Sequence, residues 1–335
     1  MSKPSLGVMY RRELAPENLV TMCRLIEGSG VDELWIVEDM SFAGGVASAA
    51  TALQVTERIH VALGILPVPV RNPLFTAMEI ATLCRLHPGR LTAGVGHGML
   101  DWMASIGSKP ASPMRAFEEI TSAIVRLLDG EEVTFDGDYV HLENASLSYP
   151  PDVRPDLVAG VRGPKSLVLA GKTLDGVLLP EPVSAHYVAF ARKIIDEAAA
   201  SAGRNRPRLT TYCWYSLEES ADKARDSIRP LLVGGPGGLS EPSVRGSLEL
   251  VPFGSELLQL LDSDKSQSEI EARIPDEWID QLSISGTADD CANAILRLHE
   301  AGADCVVLVP DADRAAPLVR AIGDSLIPAL NRITE

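Results

Sequence analysis

Residues 60–98 read HVALGILPVPVRNPLFTAMEIATLCRLHPGRLTAGVGHG, and their rhythm decides the fold. Residues 60–66 are a short apolar run of strand length. Residues 75–86 carry apolar side chains at helical spacing, and residues 90–95 are a second short apolar run. The stretch is therefore strand, helix, strand, the unit from which parallel sheets are built.

The same unit recurs on both sides. Upstream, strands are expected over 5–9 and 33–37. They are followed by a helix that opens on Pro16-Glu17 and exits at Gly28-Ser29-Gly30, and by a small-residue helix over 44–55. Downstream, strands are expected over 156–161, 176–179, 209–215 and 305–309. Helices are expected over 113–128, 165–172, 185–202, 217–232, 288–300 and 315–330. About eight strand–helix pairs in 335 residues is the arithmetic of a (β/α)8 TIM barrel, an α/β fold with parallel strands. The rival, a doubly wound open sheet, usually carries glycines in its first turn, and residues 10–16 contain none. The whole chain, 1–335, reads as one domain with two interruptions. Residues 131–150 hold a β-hairpin, with β-rich runs on either side of Asp136-Gly137. Residues 234–281, opening on GGPGG, form a long insertion before the last βα unit. This is either a lid over the strand ends or a peripheral piece used for dimer contacts.

Composition narrows the function classes. The formal net charge of −16, with no run of Lys and Arg, speaks against nucleic acid. The five cysteines, Cys23, Cys84, Cys213, Cys291 and Cys305, are odd in number and form no CxxC pair. This argues against a disulfide framework or a zinc site. No HxH or HExxH pattern exists, so no metal is expected. No apolar stretch reaches the ~18 residues of a membrane span, and the N-terminus lacks a secretory apolar region. The expected setting is the cytoplasm, and the expected partner is a small molecule.

Barrels place reacting groups at the C-terminal ends of their strands. That rule selects Tyr10, Arg11 and Arg12 after the first strand, then Glu38, Asp39, Met40 and Phe42 after the second. Gly64 to Pro67 follow the third, Gly94 to Gly98 with Asp101 and Trp102 the fourth, and Pro180-Glu181-Pro182 the sixth. Gly94, Gly96 and Gly98 alternate through a strand end, where another group can approach the backbone. Gly160, Val161, Arg162, Gly163, Pro164, Lys165 and Ser166 lead straight into a helix, a natural site for a phosphate. Glu38 or Asp39 can act as acid or base or cap the next turn, and His97 lies between two glycines at a strand end.

The set Trp35-Ile-Val-Glu-Asp39, Gly64-Ile-Leu-Pro67, Arg71-Asn-Pro73, His87-Pro-Gly-Arg90, Leu91 to Gly98, Gly163-Pro-Lys-Ser-Leu167 and Ala170 to Val177 resembles the bacterial luciferase-like monooxygenase superfamily. It is most similar to the branch that uses coenzyme F420, an 8-hydroxy-5-deazaflavin. The resemblance implies a ring held at the strand ends, backed by a non-prolyl cis peptide at Gly64–Ile65 next to Leu66. It also implies phosphate contacts from Gly96, His97 and Gly98 and from Gly160 to Ser166. Asp39, His97 or Glu38 would move the proton. Tyr10, Phe42, Trp102 and Met103, with the 234–281 insertion, would line a fairly apolar substrate pocket. The expected reaction is hydride transfer between the deazaflavin and a small metabolite, with C=N or C=C reduction favoured. Alternatives are an FMN-dependent monooxygenase and a non-catalytic cofactor-binding protein on the same fold. The family expectation for assembly is a homodimer. Glu38-Asp39 stands where the family's sugar-phosphate dehydrogenases carry Asp-His, and Met9 near where its pterin reductases carry Glu. Both departures argue against those two substrates.

Overall fold

Each expected strand–helix pair forms, and the strands close on themselves. The computed structural model describes residues 3–235 and 237–335. In chain order its first elements are β1 (Ser5–Tyr10), α1 (Leu19–Gly28), β2 (Glu33–Ile36), α2 (Gly45–Val55), β3 (His60–Pro67), α3 (Pro73–Leu86) and β4 (Leu91–Gly96). Next come α4 (Leu100–Ser105), α5 (Pro113–Leu128), the hairpin β5 (Val133–Asp136) and β6 (His141–Ala145), then β7 (Asp156–Gly160), α6 (Pro164–Thr173), β8 (Gly176–Leu179), α7 (Ala185–Ser201) and β9 (Arg208–Leu217). The rest is α8 (Ala221–Gly234), the insertion helices α9 (Arg245–Leu248), α10 (Gly254–Leu261), α11 (Gln267–Glu271) and α12 (Asp276–Leu282), then β10 (Ile284–Gly286), α13 (Ala288–Glu300), β11 (Cys305–Pro310), α14 (Ala315–Ala321) and α15 (Ile327–Thr334). The ring runs β1-β2-β3-β4-β7-β8-β9-β11, all parallel, and β11 returns to β1 with Cys305 opposite Ser5. β10 is a short extra strand on the last residues of β9.

Period-two alternation sorts every strand into an inner and an outer face. Met9, Trp35, Ala62, Val158, Leu178, Tyr212, Trp214, Val307 and Val309 form one apolar cluster inside the ring. Val8, Leu34, Leu63, Ala93, Ala159, Cys213 and Leu308 join the helix layer in another. The interior is unusually aromatic for a chain with 5% aromatic residues. Trp35 and Tyr212 meet edge to face, with centroids 5.5 Å apart and planes at 87°. Gly7 and Gly64 provide the room: a Cβ on Gly7 would stand 3.1 Å from Trp35, and one on Gly64 would overlap the Tyr212 hydroxyl. Large rings opposite bare backbone fill the ring at core density.

Three boundaries differ from the sequence expectation. β9 runs to Leu217 because β10 pairs with it that far, so α8 starts at Ala221 with the Ser220 hydroxyl as its cap. The last helix breaks at a wide turn over Ile322–Leu326, where Gly323 lies close against Ser29. The hairpin closes through four residues rather than two. Its turn is gathered by the Glu119 carboxylate, which accepts from the N–H groups of Asp138 (3.1 Å), Tyr139 (2.8 Å) and Val140 (3.3 Å).

The 234–281 insertion settles over the ring. Leu239, Val244, Leu248, Val251, Phe253 and Leu257 share one cluster with Trp35, Tyr212 and Trp214. Pro236, in its GGPGG start, lies outside the described residues. Among the described residues no helix is long and apolar enough to cross a membrane, and no group of His, Cys, Asp and Glu is arranged to hold a metal.

Candidate active site

The strand ends carry two carboxylates in sequence after β2, and the chain uses them differently. Glu38 accepts the Gly45 N–H (2.8 Å) at the start of α2. It also accepts from Arg71, whose Nη2 donates to both carboxylate oxygens at 2.6 and 2.7 Å and whose Nε donates to Oε1 at 3.1 Å. A carboxylate with a bidentate guanidinium and a helix N-terminus has no lone pair left for chemistry. The expectation that Glu38 moves a proton is therefore corrected: it anchors the β2–α2 turn. Asp39 points the other way, as alternation requires, and accepts from Arg12 Nη1 at 2.8 Å. The Arg12 guanidinium lies 5.1 Å from the Phe42 ring centroid and 5.5 Å from that of Trp102. Asp39, Arg12, Phe42 and Trp102 thus form one wall of the mouth, with Phe42 48% exposed.

The opposite wall is built on the end of β3. The Gly64–Ile65 bond is cis, and the Gly64 carbonyl accepts the Tyr212 hydroxyl at 3.2 Å. Ile65 then projects over three glycines. A Cβ on Gly94, Gly96 or Gly160 would stand 3.1, 2.8 or 2.5 Å from the Ile65 side chain. Gly94 and Gly96, with Gly98, were expected to admit another group to the backbone, and Gly160 to open an anion site. The group they admit is Ile65, which becomes an apolar platform at the mouth. Leu66 and Val161, expected beside the cofactor, are buried in the helix layer instead, because the chain alternates there. Tyr10 is corrected in the same way: it is an outer-face residue, and its hydroxyl donates to the Ala15 carbonyl at 2.9 Å. Met103 is buried behind Gly98, whose φ of 65° requires glycine, so it backs the wall without facing the pocket.

Beyond the platform, His97 and the start of α6 come together. His97 Nε2 lies 3.1 Å from the Ser166 hydroxyl, and its ring packs 4.7 Å from Phe117. Its Nδ1 is buried without a hydrogen-bond partner. Burial lowers the His97 pKa, with the Pro113 carbonyl opposing, so the neutral imidazole is held here. Gly163, Pro164 and Lys165 are exposed, and nothing stands within 4 Å of a Cβ built on Gly163. The first-turn N–H groups of α6 face this open space, with Lys165 beside them, an arrangement suited to a phosphate. Arg162 is not part of it. Its guanidinium turns inward and donates to the carbonyls of Pro180 (2.7 Å), Glu181 (2.8 Å) and Pro182 (3.2 Å) and to Ser247 Oγ (3.0 Å). It straps β8 and the insertion together and carries no free charge outward.

Three functional positions were not singled out from sequence: Arg12, Glu181 and Tyr212. The first two stood in the lists of strand ends, but a formal charge on its own did not separate them from their neighbours. Tyr212 could have been found by counting alternate residues along β9.

The comparisons with known proteins agree with this geometry. The family model described as luciferase-like monooxygenase matches residues 2–305. A 5,10-methylenetetrahydromethanopterin reductase of Archaeoglobus fulgidus is 30% identical, covering 97% of this chain and 99% of that protein. The structure of a coenzyme F420-dependent tetrahydromethanopterin reductase from Methanopyrus kandleri superposes with a TM-score of 0.80 at 23% identity, covering 98% of this chain and all of that one. The FMN-bound oxygenating component of a Pseudomonas putida diketocamphane monooxygenase gives a TM-score of 0.72 at 16% identity, covering 98% of each chain. With the closed eight-strand ring and its mouth, these matches make this chain an enzyme of the luciferase-like monooxygenase family.

Proposed function

We propose that this enzyme binds coenzyme F420 at the strand ends and transfers hydride between it and a small, fairly apolar metabolite, with C=N or C=C reduction favoured. One observation carries the reading: a single mouth joins the apolar Ile65 platform to the open, basic start of α6. That pairing fits a flat ring with a phosphate-bearing tail. Ile65 would back the ring. Gly163, Lys165 and the α6 N–H groups would hold the phosphate, and His97 would fix the Ser166 hydroxyl toward it. When bound, the deazaflavin supplies or accepts the hydride. The chain does the rest. Phe42 and Trp102 present apolar surface to the substrate, Asp39 is held by its ion pair with Arg12 as the polar wall against which the substrate is oriented, and the insertion keeps water from the ring mouth. The similarity to the A. fulgidus reductase supports reduction. Met9 is buried within the ring and, by the resemblance, stands near where the family's pterin reductases carry Glu, which argues against a pterin as the substrate.

The FMN-dependent monooxygenase reading stays in play because the family model and the P. putida structure carry that chemistry in their descriptions. Titrating the protein separately with F420 and with FMN, by fluorescence, divides the two. Saturable F420 binding with no oxygen uptake supports hydride transfer. Saturable binding of FMN alone, with oxygen uptake, overturns it. Asp39→Asn should lower turnover by ~10²-fold or more while leaving F420 affinity nearly unchanged. His97→Ala should weaken F420 binding first, because it acts through Ser166.

A further inference from the structure

The carboxylates of the mouth are mostly committed: Glu38 to Arg71 and the α2 N-terminus, Asp39 to Arg12, and Glu13 to Arg11 and Arg12. Among the described residues Glu181, just after β8, makes no ion pair, and no side chain hydrogen-bonds to its carboxyl. Protein surrounds it, yet it keeps some exposed surface, as a group lining a recess does. Its backbone is fixed unusually well. The Arg162 guanidinium grips the carbonyls on both sides of it and its own, and the Tyr187 hydroxyl holds the Arg162 carbonyl at 2.7 Å. The insertion leaves it room: Gly237, with φ 75°, lies above it, and a Cβ there would stand 3.5 Å from the carboxyl oxygen Oε1.

We infer that Glu181 is the proton donor of this site, delivering its proton to the nitrogen of a C=N substrate lying between it and the Asp39–Arg12 wall. This rests on the hydride-transfer reading above. The groups that act on it are Arg11 from β1, Arg162 from the β7–α6 turn and Asp39 from the β2 end, with Tyr212 and Cys213 on β9. Burial raises its pKa first. Its own backbone N–H, Arg11 and Arg162 pull it back and Asp39 pushes it up again, leaving it raised, the direction that favours the protonated acid. The step balances. Hydride adds to the carbon of the C=N bond, and the π pair moves to nitrogen. The O–H bond of Glu181 then breaks to form N–H, and the carboxylate regains a proton from water. Reduced deazaflavin is the hydride source and is left oxidised.

The test uses the full chain, F420 and a simple cyclic imine, dihydroisoquinoline, as the probe. Infrared difference spectra of wild type against Glu181→Gln should show a protonated carboxyl band at neutral pH that the variant lacks. Glu181→Gln should bind F420 as wild type does, yet oxidise reduced F420 with the imine ~10²-fold more slowly and with a flattened pH profile. Glu181→Asp, which keeps the acid, should restore part of the rate and its pH dependence, and it replaces the Gln variant should that fail to fold. A carboxyl ionised throughout, an unchanged imine rate, or a parallel loss of F420 binding overturns the assignment. Failure of wild type to turn over the imine overturns the C=N substrate. Failure of wild type to bind F420 strikes the cofactor reading alone, since the infrared band is read without it.

Discussion

The two ends of the barrel treat charge in opposite ways. Among the described residues the buried ions of the N-terminal end are paired, although Arg192, paired with Asp196 and Asp304, keeps its Nε without a partner. Glu33 is 3% exposed, contacts Arg208, and accepts the Trp35 indole N–H at 2.8 Å. His60 Nε2 meets the Thr92 hydroxyl at 2.8 Å, and Arg154 binds Asp175 at 2.5 Å and Asp129 at 2.9 Å. At the C-terminal end, His97 Nδ1 has no partner and Glu181 pairs with no cation, while backbone is bared at Gly163. A matched ion holds the fold and is inert. An unmatched one is tolerated where a ligand completes it. The division between a stabilising floor and a chemical rim, general to this fold, is written here in the pairing of single atoms.

That contrast can be broken at its strongest point. Glu33→Ala leaves Arg208 uncompensated and the Trp35 N–H without an acceptor, so unfolding free energy should fall by about 3–5 kcal/mol in chemical denaturation. A loss below ~1 kcal/mol would mean that the floor is not where stability lies. Gly160→Ala drives a methyl into Ile65. It should cost about 1–3 kcal/mol and abolish F420 binding together, because fold and platform meet at that residue. Glu119→Gln weakens the gathered hairpin turn and should cost about 1 kcal/mol without touching the cofactor. Burial alone would raise the Glu119 pKa, but the Tyr139 N–H and Arg115 bring it down to about 2. Its contribution is therefore present above the ordinary carboxylate value and is lost as pH falls toward 2.

The smallest effect is one of pH. Burial lowers the pKa of His60, with Glu33 opposing and Arg208 assisting, so the floor holds a neutral imidazole. Stability from this group is present above the ordinary value near 6.5 and declines as pH drops through the lowered folded value. Urea midpoints compared in mildly acidic and mildly basic buffer should show this slope, and His60→Gln should flatten it. A slope unchanged in the variant would assign the effect to His97 or His87, both of which burial shifts in the same direction.

Much of this was legible before any coordinates. Strand count and the placing of Glu38, Asp39, His97 and the α6 start at strand ends followed from local pattern, because a barrel repeats one local rule eight times. What stayed hidden was pairing at a distance. No spacing in the sequence links Glu38 to Arg71, Asp39 to Arg12, or Arg162 to the carbonyls twenty residues on, yet those contacts decide which carboxylate is free. The glycines Gly94 and Gly96 were marked as places where another group could approach, and Gly160 as the start of an anion site. Only the ring geometry shows that Ile65, from a neighbouring strand, is what enters. Tyr10 and Leu66 failed because a residue at a strand end was taken to face the mouth without counting its parity.

The pairing of Ser5 with Cys305 has a consequence in time. The ring cannot shut until the segment around residue 305 is available to lie between β1 and β9, so both of those strands carry open edges until then. The covering helices α9 to α12 precede β11 in the chain and reach their places over a ring that is still incomplete. Closure over so long a loop is slow, and it leaves pairing edges exposed to other chains meanwhile. A polypeptide halted before residue 305 should therefore associate with itself, whereas one that has passed it should not.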